Sequence, residues 1–468
     1  MTTANAPTDL VVVLPGITGT QLRQDSKLVW APSAGAALRA IGTFGRSIKR
    51  LQLPDDIGHS HPGDGVEAAG LMPDLHVLPG IWTPVKGYDV LLERLRSLGY
   101  RDVSKDLAAP PGNLLLLGYD WRLSNRYTGQ WIGSHVEHAL ERWRAQGGCY
   151  ADARVVFVCH SMGGLVARWY IERCGGKDIT RKLITLGTPY RGAARALEQL
   201  VNGVHQGLGP FAIDLTRFAR SLPSMHQLLP EYACIERDRD LAKTTETSVP
   251  ELRTTVINAT MNFHTELSHA EAARPDSLAG THPIVGFGQA TATTARICGR
   301  RVISSDTYRG QDLAGDATVP IVGACRADVP MTSPLLRRIC DKHGNLQRNK
   351  AALDEIEGIL AARPVDVRAD EDSADVAVSL PELIVAGEEL PVSVQFSGSR
   401  RASLRLAITD ESERLVEARV MRPPAATRIT DLPPGAYTVS VTGLSQGVSA
   451  VSSTVLVWDT AQNDISST

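Results

Sequence analysis

Ser161 stands in Val155-Val156-Phe157-Val158-Cys159-His160-Ser161-Met162-Gly163-Gly164. An apolar β-run ends in a small residue, His, Ser, any residue and Gly, and an amphipathic helical stretch follows. This is the strand–turn–helix context in which a serine hydroxyl is raised above the edge of a parallel sheet. A serine hydroxyl is a poor nucleophile near neutral pH. It needs a histidine within hydrogen-bond reach, and that histidine needs a carboxylate to fix its tautomer. On such a turn the chain order is Ser, acid, His. Asp316 in Ala314-Gly315-Asp316-Ala317-Thr318-Val319-Pro320 and His343 in Asp341-Lys342-His343-Gly344-Asn345-Leu346 follow in that order. Asp306 or Asp312 with His282 is a second pairing, but His282 precedes both aspartates. An acyl-transfer oxyanion also needs two donors. The N–H of Met162 is one; the glycine-rich loop Pro15-Gly16-Ile17-Thr18-Gly19-Thr20-Gln21-Leu22 after the first apolar run is the expected source of the other.

These residues need a scaffold, and the pattern of the chain supplies one. Short all-apolar runs suit strands buried on both faces of a parallel sheet. Leu10 to Leu14 is one, and similar runs recur at Leu114 to Leu117, Val155 to Val158, Leu183 to Leu186, Thr254 to Asn258 and Ile284 to Phe287. Helical stretches intervene at Tyr88 to Leu98, Gly133 to Ala145 and Gly164 to Cys174. Strands alternating with helices imply an α/β fold with a mostly parallel sheet, here of the α/β-hydrolase type with lid or cap insertions. After Arg363-Pro364 the pattern changes to short β-type runs separated by turn signals such as Pro423-Pro424 and Pro433-Pro434-Gly435. This predicts a C-terminal all-β, sandwich-like module. The expected units are residues 8–364, a hydrolase domain, and 373–460, an immunoglobulin-like β module.

Composition narrows the function classes. The 468 residues carry a net charge of −2, with 43% hydrophobic and 21% charged residues. That balance argues against nucleic acid as a partner. From residue 365 onward there are 8 Arg, no Lys and 15 acidic residues, so the weakly basic part holds the candidate site. The 7 cysteines show neither paired nor metal-ligand spacing, which fits a reducing compartment and no metal. The N-terminus shows no basic-then-apolar leader, and no 18-residue apolar run occurs. A cytoplasmic protein with peripheral membrane contact is expected. The excess of Arg (40) over Lys (9) fits a GC-rich bacterial gene.

Several segments together resemble the lecithin:cholesterol acyltransferase family, which includes lysosomal phospholipase A2 and the phospholipid:diacylglycerol acyltransferases. They are Val13 to Leu22, Tyr119-Asp120-Trp121-Arg122-Leu123, Cys159 to Gly164, Leu186-Gly187-Thr188-Pro189-Tyr190-Arg191-Gly192 and Gly315 to Pro320. The Tyr-Asp-Trp-Arg segment discriminates most, because general lipases lack it. The resemblance implies a catalytic triad of Ser161, Asp316 and His343, and an oxyanion hole formed by the N–H groups of Ile17 and Met162. It implies an acyl hydrolase or acyltransferase acting on glycerophospholipid esters without a cofactor. Two departures stand out. Cys159 takes a position where glycine is usual, and Ser26 to Asp56 lacks the cysteines that tie a small subdomain in secreted members. The β module lies outside the resemblance; it is a candidate binding surface for a protein partner or a restraint on the enzyme. A hydrolase of soluble esters or lactones is the alternative reading.

Other segments carry weaker signals. Leu38, Ile41, Ile48 and Leu51 recur near helical spacing with Arg39, Arg46, Lys49 and Arg50 between them. Such a helix can lie on an anionic bilayer or pack on its own domain. Leu208 to Leu229 corresponds to the lid of relatives, with a packed cap as the alternative. Asp120, Trp121 and Arg122 read as an ion pair and a wall; Trp30 and Trp82 read as core or substrate contacts.

Overall fold

The computed structural model describes residues 7–30, 51–54, 60–73, 87–106, 108–206, 213–238, 240–274, 280–361, 375–397, 402–444, 448 and 450–459. Among the described residues six strands form the central sheet: β1 (Leu10–Leu14), β2 (Leu114–Leu116), β3 (Val155–His160), β4 (Thr180–Leu186), β5 (Thr281–Phe287) and β6 (Arg337–Cys340). Their order is β6-β5-β4-β3-β1-β2, and every neighbouring pair is parallel. Alternating side chains of β1 face two separate cores: Leu10, Val12 and Leu14 join one, Val11 and Val13 the other. This two-sided burial is why β1 is apolar throughout.

Helices cover both faces. α1 (Asp89–Ser97) and α6 (Lys350–Leu360) bury Leu91, Leu92, Leu95, Ala352, Leu353 and Ile356 on the Val11 side. α2 (Asn125–Arg144) and α3 (Gly163–Arg173) cover the other face, where Ile132, Val136, Leu140 and Leu165 pack. α2 starts earlier than the apolar spacing predicts, because Ser124 Oγ accepts from Arg126 N–H and caps it at Ser124. α4 spans Ala194–Asn202. These layers are an α/β-hydrolase fold.

One expected strand is a helix. Thr254 to Asn258 opens α5 (Thr254–Ala272). The β-branched start suggested a strand, but Ile257, Met261, His264, Leu267 and Glu271 form one buried helical stripe. Glu271 on that stripe bonds buried Arg168 of α3 at 2.7 and 2.9 Å. Tertiary burial outweighs the local preference. The described part of the expected lid is a packed cap: Leu215, Phe218, Leu222, Met225, Leu228 and Leu229 all join the main core. Residues 31–50, with most of the basic amphipathic pattern, and Trp82 lie outside the described residues.

The described residues of the C-terminal module form eight strands: β7 (Val376–Ser379), β8 (Leu383–Val385), β9 (Leu390–Phe396), β10 (Leu404–Thr409), β11 (Leu415–Met421), β12 (Ala425–Ile429), β13 (Gly435–Gly443) and β14 (Val451–Trp458). They form a three-stranded sheet, β7-β9-β12, and a five-stranded sheet, β8-β14-β13-β10-β11. Alternate residues of both sheets, such as Val392, Val394, Leu404, Leu406, Val439 and Val455, share one core. Six of these strands overlap β-type runs expected from sequence, Val376 to Leu380, Leu390 to Phe396, Leu404 to Thr409, Leu415 to Val420, Tyr437 to Val441 and Val451 to Val457; the short strands β8 and β12 were not among them. The expected boundary between the units falls within residues 362–374, outside the described residues. All 7 cysteines are unpaired thiols.

Candidate active site

The turn between β3 and α3 holds Ser161 at φ 52°, in the left-handed region that non-glycine residues seldom occupy. Neighbours hold it there. Ser161 N–H donates to Leu186 O at 2.8 Å, and Thr188 Oγ1 donates to Ser161 O at 2.8 Å. Backbone crowding explains the small residues around it: a Cβ on Gly16 would lie 2.8 Å from Ser161 Cβ, and one on Gly163 would lie 2.5 Å from Pro15 O. Cys159 fits without glycine because it sits within the strand, fully buried between Leu14 and Thr185.

The structure brings Ser161, His343 and Asp316 into one hydrogen-bonded row. His343 Nε2 lies 2.8 Å from Ser161 Oγ, and His343 Nδ1 lies 2.8 Å from Asp316 Oδ2. All three residues are at most 1% exposed. Asp316 Oδ1 accepts from the N–H groups of Thr318 at 3.0 Å and Val319 at 2.6 Å, and Asp316 O accepts from His343 N–H at 2.8 Å. Two backbone donors thereby fix the carboxylate, and a third fixes the backbone that carries it. With Nδ1–H donating to Asp316, Nε2 is left as the acceptor for the serine hydroxyl. The other pairing separates: Asp306 and Asp312 line a cavity behind Asp316, whereas His282 lies at the start of β5, the far end of the sheet.

The loop after β1 faces the same serine. Among the described residues, the N–H groups of Ile17 and Met162 donate to no protein acceptor. The loop is held from behind. Tyr119 Oη donates to Pro15 O at 2.7 Å, and Trp121 Nε1 donates to Thr20 O at 3.1 Å. Arg122, fully buried, pairs with Asp120 at 2.6 Å and Asp64 at 2.8 Å. The Tyr-Asp-Trp-Arg segment therefore buttresses the loop and does not face the serine. Trp30 is likewise core, 1% exposed, with its Nε1 donating to Thr18 O at 3.0 Å.

A buried relay that sequence reasoning missed ties this loop to His343. Gly16 N–H donates to Tyr88 Oη at 2.9 Å; Tyr88 Oη lies 3.0 Å from His160 Nδ1; His160 Nε2 lies 3.0 Å from His343 O. The donors align if the Tyr88 hydroxyl donates to Nδ1 and Nε2–H donates to the carbonyl. Burial, then the neighbouring His343, pushes His160 down to about 3, so it stays neutral as this pattern requires. Burial also pushes the Tyr88 phenol up, keeping its proton. No local motif marks Tyr88, which lies 72 residues before His160. Only folding joins them.

Residues 81–278 match the family model described as lecithin:cholesterol acyltransferase. The match includes Ser161 and stops before Asp316 and His343. Over 100 residues the chain is 32% identical to the uncharacterized protein YJR098C of Saccharomyces cerevisiae, covering 20% of this chain and 14% of that protein. The chain thus spans about a seventh of the length of the curated relative it matches. Among solved structures, the Bacillus licheniformis lipase BlEst2 in its mature form aligns at 10% identity and TM-score 0.34, covering 77% of this chain and 95% of that one. The CARDB domain of the Pyrococcus furiosus PF1109 protein aligns at 14% identity and TM-score 0.15, covering 18% of this chain and 92% of that one.

Proposed function

We propose that this lecithin:cholesterol acyltransferase-like chain is a serine-dependent acyl hydrolase or acyltransferase of glycerophospholipid esters. The observation that carries the reading is the unbroken row Asp316–His343–Ser161 at 2.8 Å per step, with Ser161 on its strained turn. His343 Nε2 takes the Ser161 proton as Oγ attacks the ester carbonyl. The carbonyl π electrons move to oxygen, and the N–H groups of Ile17 and Met162 receive that oxyanion. Collapse expels the lysolipid alkoxide, which takes the proton from His343, and leaves an acyl ester on Ser161. Water or a lipid alcohol, deprotonated by His343, then attacks the acyl group, and the proton returns to Ser161. Asp316 orients the imidazole and stabilises its cation throughout. Hydrolase and transferase outcomes share the acyl-enzyme and differ in acceptor.

The chain is read as two units, residues 8–364 and 373–460, working in the cytoplasm at a membrane surface. The unpaired cysteines support that compartment. No described helix is long and apolar enough to cross a membrane, which is compatible with contact from one side. The test incubates the protein and Ser161→Ala with phospholipid vesicles containing a long-chain alcohol, with products read by mass spectrometry. Serine-dependent fatty acid and lysolipid are the expected hydrolase products; serine-dependent new esters are the transferase products. Identical products from both proteins refute the reading.

A further inference from the structure

The β module is seated on the loops that carry Asp316 and His343. The two strands nearest that edge of the central sheet, β5 and β6, end there: Cys340 belongs to the module's core, and Phe287 packs against it. Just past β5, the buried Gln289 side chain pairs with the module's backbone. Its Nε2 donates to Val376 O at 2.8 Å and its Oε1 accepts from Val378 N–H at 3.2 Å. The Gln289 backbone in turn pairs with the acid loop: its N–H donates to Gly315 O at 3.0 Å, and Gly315 N–H donates back at 3.1 Å.

The histidine loop is held the same way. Lys342 Nζ donates to Ser453 Oγ at 2.9 Å, and Asn345 Nδ2 donates to Ser452 O. These residues flank His343 on either side. Between the ties lies a polar cavity of about 420 Å³, lined by Asp316, Gly344 and Ser452 among others. The seam is therefore not solid packing. Beside the apolar contacts of Cys340 and Phe287, discrete hydrogen bonds around a cavity help set the distance between module and loops, and each loop is reached by at least one of them.

Among the described residues β6 is an edge strand, with a single sheet neighbour, β5. A loop at the end of an edge strand lacks the lateral support that β3 receives from both sides. An error near 1 Å in a reacting group can cost about 10²-fold in rate, and supporting contacts are what hold a site to ~0.5 Å. We propose that the C-terminal β module is a positioning part of the active site, with Gln289 and Lys342 conveying its hold to the loops of Asp316 and His343. The inference rests on the reading of Ser161, His343 and Asp316 as the triad. It opposes the expectation that the module restrains the enzyme.

The test uses the full chain and three readings: end-point titration with a fluorophosphonate that acylates active serines, kcat per titrated site, and KM on p-nitrophenyl butyrate. Gln289→Leu removes both ties to β7 at similar volume. Lys342→Met removes the tie to Ser453 and keeps the stem, and Lys342→Arg restores a donor. Val420→Ser, at a 68% exposed residue of the outer strand β11, is the control. The expected result is a full titre, with kcat per site down about tenfold or more in Gln289→Leu and severalfold in Lys342→Met. KM stays within about twofold, Lys342→Arg regains activity, and Val420→Ser matches the parent. A fall in titre with kcat per site unchanged would mean a merely structural contact and overturns the proposal. A rise in kcat means restraint and also overturns it. Should Gln289→Leu not fold, the Lys342 pair decides by the same criteria. An unlabelled parent protein removes the reading of Ser161 itself, a failure distinct from labelled variants of undiminished kcat.

Discussion

Replacing Tyr88 by Phe tests the buried relay directly. The hydroxyl accepts from Gly16 N–H at 2.9 Å and lies 3.0 Å from His160 Nδ1. Tyr88 is 0% and His160 1% exposed, so water has no ready route to replace it. Removing one oxygen leaves a buried donor and a buried acceptor without partners. Each such orphan costs roughly 1–3 kcal/mol, so the fold should lose about 2–4 kcal/mol, allowing for relaxation. That is a large share of a typical net stability of ~5–15 kcal/mol. Catalysis should suffer separately. Gly16 precedes Ile17, whose N–H is proposed to receive the oxyanion; losing such a donor outright costs about 10²–10³ in kcat. A loosened rather than deleted donor should cost ~10- to 100-fold, mainly in kcat. Guanidinium unfolding gives the stability change, and turnover of a short ester, normalised to fluorophosphonate titre, gives the rate. Tyr437→Phe serves as control, since Tyr437 Oη donates only to Pro433 O at 2.8 Å in the β module. It should cost ~1 kcal/mol and leave kcat unchanged. If Tyr88→Phe unfolds within about 0.5 kcal/mol of the parent and turns over equally fast, the relay neither stabilises the fold nor aligns the loop.

Two further outcomes follow. Gly16→Ala adds a Cβ 2.8 Å from Ser161 Cβ and 3.3 Å from His160 Nδ1, so either the loop or the serine must shift; activity should drop by about 100-fold or more, and an active Gly16→Ala would contradict the close approach. Acid should destabilise the fold through its buried neutral histidines, because burial pushes His160 down to about 3 and His264 to about 4. Below pH ~6.5 the unfolded chain takes up protons that these side chains refuse when folded, so stability is full above that pH and falls as pH drops toward those values. Each histidine contributes a slope approaching ~1.4 kcal/mol per pH unit, and denaturant midpoints flat from pH 7 to 5 would refute the assignment.

Local chemistry explains which parts were legible. The apolar run before Ser161, the glycines after it and the short loops around Asp316 and His343 each carry their reason within a few residues, so their order along the chain pointed to one site. The module strands β9 and β10 were readable at their observed bounds, because two-residue alternation is a local property. Thr254 to Asn258 misled, because five β-branched and polar residues cannot reveal that Ile257 belongs to a stripe running to Glu271, nor that Glu271 meets Arg168.

The candidate reacting groups and the class of fold thus lay in one-dimensional order, since periodicity and turn chemistry act between near neighbours. Tertiary structure alone decided what holds those groups. Tyr88 reaches Gly16 and His160 across 72 residues each, and Gln289 reaches Val376 and Val378 across 87 and 89. Tyrosine and glutamine are common residue types whose meaning depends on the partner, and partners so far apart in the chain become neighbours only when the sheet and its helices have packed.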